Sequence, residues 1–105
     1  MIRGDIVIVR EPGTPASKAR PCLVVQHSST IAVSRKITVC ALTSYLSGRR
    51  PVIVPSNGNG LRRMSEVEID WIFTHPRSFI GDRVGKVEDE CLAEVFNALR
   101  CWLDL

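Results

Sequence analysis

The chain has 105 residues, 45% of them hydrophobic and 24% charged, with a formal net charge of +3 and a pI near 8.9. That is enough for one domain over residues 1–105, and the balance excludes a disordered chain. The longest apolar runs are strand-sized, far short of the roughly 20 residues of a membrane span, and the small positive excess permits a polyanionic partner without identifying one.

Met1 to Asp5 lacks the character of a signal peptide, so a cytosolic chain is expected. Ile6-Val7-Ile8-Val9 is a β-branched run and predicts the first strand. Glu11 to Ala19, with Pro12, Gly13 and Pro15, carries turn chemistry and predicts a loop. Arg20-Pro21 closes that loop, and Cys22 to Gln26 follows as a strand covered on both faces. A guanidinium held at the rim of such a strand presents a permanent charge in a planar fork, which suits phosphate or carboxylate. His27 to Thr30 is a polar connection, and Ile31-Ala32-Val33 reads as a short extension or an irregular loop.

Ile37 to Leu42 predicts the third strand, with the hydroxyls of Thr43 and Ser44 at its exit. Ser47 to Arg50 is a charged turn, and Val52-Ile53-Val54 lies between Pro51 and Pro55, which limit the strand or place it at an edge. Two Asn-Gly pairs at 57–60 require a sharp turn. Glu66 to Thr74 predicts a strand with Glu66, Glu68 and Asp70 on one face; Trp71 and Phe73 could offer stacking faces, but within an apolar strand they are expected in the core. Ser78 to Val87 reads as a turn and a last short strand.

From Glu88 the period changes. Leu92, Val95, Phe96, Leu99, Trp102 and Leu103 recur at helical spacing, predicting an amphipathic helix of about four turns with Trp102 on its packed face. Glu88 to Glu90 suit the positive end of its dipole, and Val87 can staple onto Leu92. The whole pattern is mostly β: a small barrel with a carboxyl-terminal helical lid. Cys22, Cys40, Cys91 and Cys101 contain no C-x-x-C pair and read as buried thiols, and with two histidines no metal centre or other cofactor is expected.

Gly4-Asp5 with its strand, Arg20-Pro21, Cys40-Ala41-Leu42-Thr43-Ser44, Gly58-Asn59-Gly60-Leu61 and the terminal helix follow in the order of one family. Over essentially its whole length the chain resembles the PemK/MazF/Kid toxins. The resemblance implies an SH3-like barrel, a homodimer, an antitoxin partner that blocks its groove, and metal-independent endoribonuclease activity on single-stranded RNA. It places the catalytic roles on Arg20, on Thr43 and, by the Kid branch, on Asp70. The loop before Arg20 departs from the family in lacking the glutamate often found there, and Phe73 stands where many members carry arginine.

Cleavage without a metal uses the 2′-hydroxyl as nucleophile and leaves 2′,3′-cyclic phosphate and 5′-hydroxyl ends. Arg20 is expected to stabilise the phosphorane, and Thr43 to donate to a non-bridging oxygen. Asp70, Glu11 and His27, in that order, are the candidates for proton transfer. Lys18, Ser44 and the pairs Arg49-Arg50 and Arg62-Arg63 are expected to meet RNA, and Arg35-Lys36 forms a third basic pair. The rival reading is a CcdB-like gyrase poison of the same fold, whose contacts lie at a carboxyl-terminal tryptophan such as Trp102.

Overall fold

A computed structural model describes residues 1–105 as six antiparallel strands and a long carboxyl-terminal helix. The strands are β1 (Asp5–Val9), β2 (Arg20–Val24), β3 (Lys36–Thr43), β4 (Val52–Ile53), β5 (Ser65–Pro76) and β6 (Ile80–Lys86), in the order β4-β5-β3-β2-β1-β6. The helices are α1 (Ser28–Ile31) and α2 (Asp89–Leu103). Single 3-10 turns occupy Ala16–Lys18 and Arg77–Phe79. No helix is long and apolar enough to cross a membrane.

Strand alternation divides the core in two. Ile6, Leu23, Cys40, Leu42 and Val67 face one side, where Val95 and Leu99 of α2 pack against them. Val7, Val9, Cys22, Val24, Ile37 and Val39 face the other, closed by Ile31 of α1. The central run Cys22–Val25 is therefore buried throughout, as a strand covered on both faces must be. Val87 and Leu92 join the first cluster at the start of α2, and Asp104 ends the helix in the left-handed conformation, donating its N–H to the Arg100 and Cys101 carbonyls.

The sheet curls into a half-barrel, and its two ends meet through the loop after β4. The Lys86 N–H donates to the Gly58 carbonyl at 2.9 Å. Asn59, buried in that loop, locks it: its Nδ2 donates to the Val54 carbonyl at 2.8 Å, and its Oδ1 accepts from the Ser56 and Leu61 N–H groups. Gly60, at φ +69°, faces the Val84 carbonyl, and Gly85 faces the backbone of Gly58 and Asn59, so neither position has space for a Cβ.

Three elements differ from the reading above. Ile31 ends a helical turn that His27 caps, because its side chain is drawn into the second core cluster. Cys22 and Cys40 are buried, yet Cys91 is half-buried and Cys101 is exposed on the last helical turn. Trp71, Phe73 and Trp102 lie largely outside the core, at 52%, 45% and 59% exposure.

Candidate active site

Arg20 and Thr43 come together through strand register. β2 and β3 pair Cys22 with Ala41, and continuing that register by two residues on each strand sets Arg20 opposite Thr43. Both line one groove of about 390 Å³, with Ser44, Arg62, Arg63 and Ser65. The Thr43 Oγ1 accepts the Tyr45 N–H at 3.1 Å, which fixes the hydroxyl and leaves its proton to donate outward. Arg20 is exposed and its side chain makes no hydrogen bond or ion pair within the chain. Its charge is available to a ligand.

Arg20 also lines a second, larger groove of about 500 Å³, together with Lys18, Glu11, Glu68, Trp71 and Phe73. Cys22 forms part of its wall, but burial pushes that thiol up to about 12, so it is no nucleophile near neutrality. Arg20 is the point at which the two grooves join.

Asp70 lies elsewhere. It lines a third cavity with Tyr45, Ser47, Arg49, Arg50 and Trp102, none of which borders either Arg20 groove. Arg50 holds it, with Nε 3.0 Å from Oδ1 and Nη2 donating to Oδ2 at 3.1 Å, and this bond pulls the Asp70 carboxyl below its ordinary range. The shift is opposite to the one that would tune it as a base at neutral pH. The three carboxylates do not act together: Glu66 and Asp70 both meet Arg50, whereas Glu68 lines the groove beside Trp71 and Phe73, on a strand whose register is irregular here, the step from Cys40 to Leu42 being matched by the step from Ile72 back to Val67.

Glu66 is buried and organises the preceding turn. Burial pushes its carboxyl up, but the Ser47 hydroxyl at 2.7 Å, the Gly48 N–H at 2.8 Å and the nearby Arg50 outweigh this and hold it low. Both carboxylates are thus more acidic in the folded state, so their stabilisation is complete above about pH 5 and is lost as pH falls past their unfolded values towards the lowered folded ones. Thermal unfolding followed against pH should show a steep loss of stability in acid, and Asp70→Asn should flatten its lower part, since an aspartate titrates below a glutamate in the unfolded chain.

His27 borders none of these cavities. Its Nδ1 accepts the Ser29 N–H and it caps α1, a structural role. Glu68 as a groove residue escaped the sequence reading, and so did His75, which continues the exposed row of Trp71 and Phe73 at two-residue spacing on one strand.

The half-barrel with its terminal helix is the fold of solved MazF toxins. The Mycobacterium tuberculosis toxin MazF-mt6 superposes with a TM-score of 0.81 at 24% identity, over 96% of this chain and 97% of that one. A mycobacterial endoribonuclease solved in complex with its cognate antitoxin gives 0.81 at 22% identity, over 100% and 94%. At the level of sequence, a probable endoribonuclease MazF of Mycolicibacterium smegmatis is 31% identical over 107 residues, spanning 100% of this chain and 98% of the relative. The profile of the family described as PemK-like, MazF-like toxin of type II toxin-antitoxin system matches residues 2–103, and the chain belongs to that family.

Proposed function

We propose that the protein is the toxin of a type II toxin–antitoxin pair, a metal-independent endoribonuclease that cuts single-stranded RNA in the cytoplasm and so stops translation and growth. The observation that carries this is that Arg20 and Thr43 line one groove with Arg62 and Arg63, and that the Arg20 charge is unpaired. It acts as a homodimer whose RNA groove draws on both protomers, and its antitoxin neutralises it by filling that groove.

In this site Arg20 places a fixed cation against the phosphorane as charge develops on its oxygens. The Thr43 hydroxyl donates to a non-bridging oxygen. Ser44, Arg62 and Arg63 hold the strand on one side and Lys18 on the other, while Arg49 and Arg50 line the neighbouring cavity. Glu11 is the carboxylate of the sequence candidates that borders the Arg20 groove, and it takes the role of base for the 2′-hydroxyl. Asp70 organises Arg50 instead.

The gyrase-poison alternative drew on the terminal tryptophan, and Trp102 is indeed exposed. The relatives at sequence level are named endoribonucleases, however, and the chain retains both Arg20 and Thr43. Thr43→Ala should slow cleavage roughly 10²-fold, the cost of one preorganised donor to a developing oxyanion, and Thr43→Ser should restore most of it. Rates for the three proteins on one RNA check this, and an undiminished Thr43→Ala enzyme would remove the hydroxyl from the chemistry.

A further inference from the structure

The turn between β3 and β4, residues 44–50, takes part in no backbone–backbone hydrogen bond. Side chains of β5 hold it instead. The Ser47 hydroxyl donates to Glu66 Oε1 at 2.7 Å, the Gly48 N–H donates to Oε2 at 2.8 Å, and Arg50 Nη1 lies 3.6 Å from Oε1. Through Arg50, Asp70 ties the end of the turn. Glu66 is fully buried whereas Ser47, Gly48 and Arg49 are exposed, so its carboxylate is the inner anchor of a surface segment. An ionised carboxylate only accepts, and both of its oxygens are committed to this turn.

The same turn reaches the cleavage groove at its other end. Glu66 and Thr43 are partners across β5 and β3, and the turn departs from Thr43. Ser44 lines the groove, and the Tyr45 N–H donates to Thr43 Oγ1 at 3.1 Å. A threonine hydroxyl has three staggered positions, and this bond selects one. The direction of the hydroxyl is therefore set by a backbone N–H two residues before the Ser47 that Glu66 grips.

We infer that Glu66 is a positioning residue for RNA cleavage: by gripping Ser47 and Gly48 it holds the turn in the shape that keeps the Tyr45 N–H on the Thr43 hydroxyl. The inference rests on the ribonuclease reading and on the part Thr43 plays in it. Glu66 lines none of the three cavities around Arg20 and Asp70, so it acts on the substrate through Thr43 alone. A buried charge is weak support for stability, since an apolar replacement of ion and partners often serves as well, but it fixes geometry. A misplacement of about 1 Å is enough to cost a preorganised donor most of its effect. Loosening the turn therefore slows the chemical step, and the loss has a ceiling at the roughly 10²-fold that the Thr43 hydroxyl supplies.

The test is a double-mutant cycle read in single-turnover cleavage of one RNA, with protein at saturation and EDTA present, so that binding does not enter the rate. Glu66→Gln keeps the shape of the side chain but sets an amide donor against the Gly48 N–H or against Ser47 and Arg50, and should slow cleavage about tenfold. Ser47→Ala, an exposed change that leaves the carboxylate in place, should slow it roughly threefold and carries the test if Glu66→Gln does not fold. In a Thr43→Ala background neither change should slow cleavage by more than about 1.5-fold, because the hydroxyl they orient is gone. A purely structural role would lower the unfolding midpoint and act equally in both backgrounds. Equal slowing with and without the Thr43 hydroxyl, no slowing by the folded variants, or an undiminished Thr43→Ala protein overturns the positioning role and leaves the ribonuclease standing. No cleavage by wild type overturns the ribonuclease reading and this inference with it.

Discussion

Arg20→Ala should lower single-turnover cleavage about 10³-fold while leaving the fold unchanged. The guanidinium is the one cation that borders both grooves, so it alone can sit beside a phosphate whose flanking nucleotides occupy the two sides. Its loss removes charge stabilisation of the phosphorane, an effect felt in the transition state more than in the bound substrate. Binding should therefore fall far less than rate, supported still by Arg62, Arg63 and Lys18. The unfolding midpoint should not move, because the exposed side chain has no partner within the chain to lose. Arg20→Lys keeps a charge without the planar fork and should recover only part of the rate. Equal losses of binding and rate in Arg20→Ala would make it an anchoring residue instead.

The largest expected effect on stability belongs to Gly85. A Cβ there would run into the carbonyl groups of Gly58 and Asn59, where the loop after β4 closes the half-barrel against β6. Those atoms are backbone and cannot rotate away, and Asn59 holds them with hydrogen bonds to Val54, Ser56 and Leu61. Gly85→Ala should cost about 2–3 kcal/mol, the usual penalty of an overpacked site, and lower the melting temperature by roughly 10–20 °C. Gly58→Ala is the matched control. Its nearest neighbour is the Ser56 Oγ at 3.8 Å, an ordinary contact, so its stability should stay within about 0.5 kcal/mol of wild type. Denaturant midpoints for the three proteins decide the matter, and an equally stable Gly85→Ala would mean that the loop yields.

How far the sequence foretold this depends on whether one segment or several set the outcome. Arg20-Pro21 before a buried run places a cation at a strand end whatever the rest of the chain does, and the hydroxyl at the end of β3 follows from the length of that strand. The helix α2 was legible from its period, and the edge strand β4 from its prolines. Asp70 was not, because the strand parity used to place it is broken by the irregular register opposite Cys40 and Leu42, and because Arg50, twenty residues earlier, claims it. Trp71 and Phe73 resembled core residues since an apolar run within a strand usually has cover on both sides. On this strand α2 covers only one, and the other remains open as the groove beside Arg20. His27 and Ile31 show the same limit: a four-residue helix arises where a buried isoleucine and a capping histidine meet, and neither is a helix signal alone.

The most direct test of the central claim is to incubate the purified protein with single-stranded RNA in EDTA and analyse the ends of the products. Fragments ending in 2′,3′-cyclic phosphate and beginning with 5′-hydroxyl, made by wild type and lost in Arg20→Ala, are the predicted result. They mean that the 2′-hydroxyl attacked and that Arg20 stabilised the charge. Products with 5′-phosphate ends, or no products across a broad set of RNA sequences, would contradict the account.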